Sequence, residues 1–198
     1  MDIVLDTPLS VDYKVAAKED EMALLESARA MNRDALVEIF DTYSPALYSY
    51  AFRLCSDSLL ADYVVGDVFA KLVEQFSIGR GPNINLRAYL YEMTYHVVVD
   101  QARRAHREIS LESAEFLFHD TYSAFTTLEN QILMEAILRA IRNELTELQR
   151  HVIILRFLEG FSLRETAAIV KKDVNYVKVI QNRAIVALRK VLEYRVTE

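Results

Sequence analysis

Glycine and proline are scarce in this chain of 198 residues, at 4 and 3. So few turn formers argue against a many-stranded β fold and favour long helices. A lone cysteine, Cys55, excludes an internal disulfide, and its place in the apolar stretch LYSYAFRLC predicts a small buried thiol without a redox or metal role. No run of 18 apolar residues occurs, and the opening MDIVLDTPLSVD lacks the basic start and apolar core of a secretory signal. These absences predict a soluble, cytoplasmic protein without membrane insertion. No paired carboxylates, glycine-rich phosphate loop or Ser/His/Asp constellation is present, so neither catalysis nor a cofactor is expected. His96 and Asp100 stand four apart on one helix face, but two ligands do not make a metal site.

What the chain does contain is an ordinary globular composition, 52% hydrophobic and 26% charged, enough for a real core in one domain or two small ones. The net charge of -6 is unevenly distributed. Residues 1–128 hold 11 Lys and Arg against 20 Asp and Glu, residues 129–144 hold 2 against 3, and residues 145–198 hold 10 against 6. A basic C-terminal part behind an acidic N-terminal one predicts different partners for the two halves.

Periodicity organises the chain further. Residues 1–18 form a weakly patterned acidic leader, expected to be flexible, and a helical period starts near Asp20 with Leu24, Leu25, Ala28 and Met31. Asn32 suits a cap for the next helix, which Pro45 should perturb, giving two helices or one kinked pair. The clearest amphipathic helix is LLADYVVGDVFAKLVEQF, with Leu60, Val64, Val65, Val68, Phe69, Leu72, Val73 and Phe76 on one stripe and Asp62, Asp67, Lys71 and Glu74 opposite. IGRGPN ends it. The run NLRAYLYEMTYHVVVDQARRAHRE closes on Arg103, Arg104 and Arg107, and residues 109–128, without sustained period, read as a linker. The expected fold is therefore all-α, two helical domains joined by a flexible linker.

Helical spacing returns from Glu129, pauses at Thr146 and ends at Gly160. Ser162 and Glu165 then form a capping box for LRETAAIV, and a short KKDV turn leads into NYVKVIQNRAIVALRKVL, a helix-turn-helix candidate. A helical wheel turns Val177, Gln181, Ala184 and Leu188 to one side and Asn175, Lys178, Val179 and Asn182 to the other. The second side suits a major groove, with amides on base edges, Val179 on a thymine methyl, and Lys178 and Arg183 on phosphates. Asn175 and Tyr176 would enter first, while Arg164, Lys171 and Lys172 position the helix on the backbone. A plain helical hairpin with a charged solvent face would show the same pattern.

These residues resemble the extracytoplasmic-function, or group IV, sigma factors of bacterial RNA polymerase, in the sigma-70 family. LQRHVIILRFLEGFSLRETAAIV followed by VKVIQNRAIVALRK is similar to region four, which reads the minus-thirty-five element. YSPALYSYAFRL and ADYVVGDVF resemble the opening and clamp-docking helices of region two, and LRAYLYEMTYHVVVDQARRAHRE resembles the segment that opens and reads the minus-ten element. The resemblance implies a leader at 1–18, region two at 19–108, a linker at 109–128 running through the RNA path of the polymerase, and region four at 129–198. It also implies a promoter-recognition subunit whose partners are promoter DNA and core polymerase, through the clamp of the largest subunit and the flap, and it admits an anti-sigma factor.

By the same resemblance, Arg87, Tyr91, Tyr95, His96, Asp100, Arg103, Arg104 and Arg107 serve the minus-ten element. Rings beside cations suit unpaired DNA, although Tyr89 or Tyr91 would equally serve as core. Asp62, Val65, Asp67, Val68 and Phe69 are assigned to the polymerase, while the stripe pattern sends the apolar members of that set to the domain interior. Three positions depart from the family: His96 where Asn is usual, Thr146 where Pro is usual, and KKDVNY in place of Gly and small residues. A helix-turn-helix regulator acting without being a polymerase subunit, and an adaptor that binds only protein, are the competing readings.

Overall fold

A computed structural model of the chain describes residues 11–108 and 128–196, with side-chain surroundings defined for 20–104 and 136–190. Regular structure within these residues is helical: α1 Val11–Arg29, α2 Arg33–Cys55, α3 Ser58–Ser77, α4 Leu86–Glu108, α5 Leu128–Glu144, α6 Glu147–Ile153, α7 Leu163–Ile169 and α8 Val174–Val196. A π-helical turn, Ile154–Leu158, prolongs α6. No described helix is long and apolar enough to cross a membrane.

Caps explain several boundaries. The Asn32 side chain accepts from the Ala35 amide at 3.0 Å, and Asp57 does the same for Leu60 at 3.0 Å, each satisfying a donor that a helix start leaves open. α1 begins at Val11, earlier than the period from Asp20 implied. α2 runs through Pro45 as one helix, so of the two expected arrangements a split into separate helices does not occur. Pro45 and Asp41, whose carbonyl loses its bond to the missing N–H, are both exposed, so water can replace that bond while buried Leu47, Tyr50, Ala51 and Leu54 hold the later turns. After α3, Gly81 turns with φ 106, and a Cβ there would stand 2.8 Å from the Phe76 ring; only glycine fits this turn.

Helices α2, α3 and α4 pack on one another with α1 against α2, and α5, α6 and α7 pack on α8. The α3 stripe is buried from Ala61 to Phe76, with Val64 and Val68 sealed, except at Val73, which is 37% exposed. The expected linker lies outside the described residues except for Leu128, which opens α5. Instead of standing apart, the two bundles share one continuous buried cluster that includes Tyr50, Tyr91, Ile154, Leu155 and Phe161. The Tyr50 hydroxyl and His151 Nδ1 share a hydrogen bond across 2.9 Å, Tyr91 meets Phe161 edge-on at 4.8 Å, and Arg150 donates to the Leu54 carbonyl at 3.1 Å.

Burial and the neighbouring Arg150 guanidinium push the His151 imidazole from 6.5 down to about 3. Its other neighbours are the Tyr50 hydroxyl and the Tyr95 ring at 4.5 Å, and neither offers a negative charge. A neutral imidazole inside and a protonated one in water mean that the opened or unfolded chain binds more protons below about pH 6.5. Stability is complete above that pH and declines toward pH 3. Between pH 7 and pH 5 the closed fold should lose about 2 kcal/mol from this group; denaturant midpoints at both values, compared with His151→Gln, check it, the variant losing most of the difference. Gly66, exposed in mid-α3 with nothing within 4 Å of an added Cβ, yields a second expectation. Gly66→Ala should raise unfolding stability by about 1 kcal/mol, read from the same midpoints.

Candidate nucleic-acid interface

The capping box expected for α7 is present: the Glu165 amide donates to Ser162 Oγ at 3.2 Å and the Ser162 amide to Glu165 Oε2 at 2.8 Å. Hydrogen bonding to the carboxylate from the Ser162 side chain, and then from the Ser162 amide, holds the Glu165 carboxyl below its usual range. The turn after α7 places Lys171 at φ 52, a left-handed conformation that usually falls to glycine. Its strain is offset by amide bonds from Lys171 to the Ala168 carbonyl at 3.1 Å and from Lys172 to the Ala167 carbonyl at 2.9 Å. Asp173 then caps α8, accepting from the Asn175 and Tyr176 amides at 2.8 and 3.3 Å. The departure from small residues in KKDVNY is thus accommodated without losing the helix-turn-helix.

On α8, Val177 and Ala184 are sealed in the core and Ile180 is buried beside them. Gln181 is half-buried and accepts from Arg156 Nε at 3.0 Å, so that amide serves packing. Asn175, Tyr176, Lys178, Val179, Asn182 and Arg183 all face solvent, as do Arg164, Lys171 and Lys172 beside them. Tyr176 and Val179 are 48% and 45% exposed, an apolar contribution within a basic and amide-rich edge. Thr146, at the usual proline position, starts α6 with its amide donating to Gln149 Oε1 at 2.9 Å.

The second set of residues is placed differently. Arg87, Tyr91 and Tyr95 follow one another at four-residue intervals along α4, and all three turn toward the α6–α7 segment. Tyr91 is 1% exposed, and its hydroxyl donates to Glu159 Oε2 at 2.6 Å. Burial, then this carboxylate, pushes the phenol well above its ordinary value. Arg87 donates to the Glu159 carbonyl and lies 4.0 Å over the Phe161 ring. Tyr95 sits edge-on to His151. His96 is half-buried, its imidazole shifted downward by desolvation and then by Lys171. Asp100, Arg103 and Arg104 are exposed at the far end. Arg107 belongs to α4, but its side chain lies outside those described.

The set assigned to the polymerase requires a correction. Val65, Val68 and Phe69 are 7%, 0% and 8% exposed, because the helical period points them into the α2–α4 core, and Phe69 packs on Phe40 at 4.8 Å. They shape α3 from within. The outward edge is Asp62, Asp67 and two residues the sequence reading passed over, Leu59 and Tyr63, which are 80% and 52% exposed. Their place on the Asp62 side of the wheel was the available signal. Asp67 is engaged by Lys71 at 2.7 Å, one turn on. Glu159 is also missing from the sequence reading, having been hidden as the residue before a helix-ending glycine.

Residues 39–108 match the family described as Sigma-70 region 2, and residues 143–190 match Sigma-70, region 4. The ECF RNA polymerase sigma factor SigD of Mycobacterium tuberculosis is 32% identical over 175 residues, 84% of this chain and 81% of SigD. BldN of Streptomyces coelicolor, also an ECF sigma factor, is 25% identical over 177 residues, and the match spans 86% of this chain but only 65% of BldN. Among solved structures, the fold is similar to the sigma factor RpoE crystallised with the anti-sigma factor NepR from Bartonella quintana, at TM-score 0.65 and 24% identity, covering 79% of this chain and 95% of that one. It is likewise similar to CnrH in complex with the cytosolic domain of CnrY, at TM-score 0.63 and 22% identity, covering 87% and 97%. Both region families occur in order on one chain, and a relative is nearly a third identical across most of its length: the chain belongs to the extracytoplasmic-function sigma factors of the sigma-70 family, the subunits that direct RNA polymerase to promoters.

Proposed function

We propose a division of labour along this chain, with region two at 19–108 and region four at 129–198 as the working units, between the leader at 1–18 and the linker at 109–128. In region four, Arg164, Lys171 and Lys172 hold the minus-thirty-five duplex by its backbone. The α8 edge enters the major groove, where Asn175, Tyr176, Val179 and Asn182 face the bases and Lys178 and Arg183 meet phosphates. The exposure of all nine side chains along one edge, with Val177 and Ala184 packed behind it, is the observation that carries this assignment.

In region two, the rings and cations from Arg87 to Arg107 capture unpaired bases of the minus-ten element by stacking and phosphate attraction. The outer α3 edge around Asp62 and Asp67 meets basic groups of the polymerase clamp. The chain supplies no catalytic group; nucleotidyl transfer belongs to the polymerase, and the protein acts in the cytoplasm. An anti-sigma factor is a further partner class, since the similar sigma factor RpoE was crystallised with one.

Core polymerase and a promoter library transcribed in vitro test the assignment as a whole. Lys178→Ala should weaken promoter binding by the reconstituted holoenzyme on every sequence and lower the salt slope by about one unit. Asn182→Ala should instead relax preference at one base position, at a cost of roughly 1 to 3 kcal/mol. Identical behaviour of the two variants on all promoters would overturn the division between backbone and base contacts.

A further inference from the structure

We propose that Arg29, the last residue of α1, is a positioning residue for capture of the minus-ten strand: by gathering the carbonyls of the α3–α4 turn, it fixes where α4 begins and the direction in which it leaves. The proposal rests on the assignment of α4 to that strand given above. Arg29 lies before the residues 39–108 matched to Sigma-70 region 2, in a helix that carries none of the side chains assigned to DNA or polymerase. Its guanidinium reaches three carbonyls 50 to 53 positions further along the chain. Nη1 donates to Pro82 at 2.9 Å and to Gly81 at 3.3 Å, and Nη2 donates to Gly79 at 3.4 Å.

Both ends of this contact have a firm base. Leu25 and Ala28 are buried, and α1 closes with the Met31 amide donating to the Ala28 carbonyl at 2.9 Å and the Asn32 amide to the Ser27 carbonyl at 3.2 Å. Met31 is left-handed there, at φ 62, which completes a paired C-cap and leaves the last turn little slack. α3 closes in the same way, the Gly79 amide donating to Phe76 at 3.0 Å and the Arg80 amide to Gln75 at 2.8 Å. Past that cap the chain turns back with Pro82 buried. A guanidinium presents its donors as a planar fork and serves several carbonyls of such a turn at once, whereas an ammonium lacks that geometry.

Only residues 83–85 separate Pro82 from α4. Asn85, at φ 55, accepts from the Ala88 amide on its side chain at 3.0 Å and from the Tyr89 amide on its carbonyl at 3.2 Å. Leu90, Val97 and Val98 then bury one face of α4 in the core. Apolar burial is non-directional, so it sets the depth of the helix better than its rotation or axial slide. The braced turn sets those two at the helix start. α4 is 23 residues long, about 34 Å at the helical rise, so a small tilt at Leu86 becomes a larger displacement at Arg103 and Arg104.

Amide exchange of the full chain and anisotropy of a labelled single strand carrying a minus-ten sequence, bound to reconstituted holoenzyme, provide the test. Arg29→Ala should speed exchange of the Ala88 and Tyr89 amides about tenfold and weaken strand binding about tenfold. Assembly with core polymerase and binding of minus-thirty-five duplex should stay within about twofold. Arg29→Lys keeps the charge but loses the fork, and should fall between wild type and Arg29→Ala in both readings. Ile39→Val, which trims the same core without touching the bonds of Arg29, is the stability comparison: its denaturant midpoint should fall while its strand binding holds. Unaltered exchange in folded Arg29→Ala overturns the proposal, as does faster exchange with unaltered strand binding. So does an equal loss of strand binding in Ile39→Val, which would reduce Arg29 to a residue of the fold alone. Should Arg29→Ala fail to fold, Arg29→Lys decides, and wild-type values there in both readings overturn the proposal. Undiminished strand binding by the double variant Arg103→Ala and Arg104→Ala would instead count against the assignment of α4, since exchange at its start is read without DNA.

Discussion

The Glu159 carboxylate, almost sealed from water, receives the Arg53 guanidinium on one oxygen and the Tyr91 hydroxyl on the other. A carboxylate in that position must be paired and hydrogen-bonded, since its desolvation is costly. The arrangement of the two bundles follows from meeting that requirement, because the donors come from α2 and α4 while the acid belongs to the end of the α6 helix. Once these bonds place the segment, Phe161 lies between Arg87 and Tyr91, and His151 lies between Tyr50 and Tyr95. A buried pair of this kind adds little net stability relative to apolar packing, but loss of one partner is severe. Such a contact defines an orientation more than it deepens a core.

That orientation treats the α8 edge and the α4 stripe unequally. The α8 edge is held by its own bundle, through Val177, Ile180 and Ala184, and its outward side faces solvent. The α4 stripe lies against the partner bundle, where Arg87, Tyr91 and Tyr95 are all engaged. Beyond the seam, Asp100, Arg103 and Arg104 lie exposed at the far end of α4. The outer α3 edge stays clear of the seam, with Asp62 and Tyr63 exposed in the same arrangement.

Local signals were legible wherever the deciding interaction lies within a few residues. Asn32, the Ser162 and Glu165 capping box, the break at IGRGPN and the α3 stripe each announce themselves by spacing, because caps and helical faces are properties of short windows. Pro45 misled for the opposite reason: its lost hydrogen bond is local, whereas the packing that carries α2 through it is not. Val65, Val68 and Phe69 show a family resemblance competing with periodicity, and periodicity prevailed because burial follows the helical face.

By itself, the amino-acid sequence determined the order of the helical runs, the basic helix-turn-helix behind an acidic bundle, and the six α8 side chains turned to solvent, since all of these follow from short-range periodicity, capping and charge. The tertiary structure alone decided that Tyr91 is sealed, that His151 is neutral and that Glu159 joins the two regions. Those outcomes depend on residues 68 to 106 positions apart meeting in one place, and no local pattern encodes which distant donor a carboxylate will find.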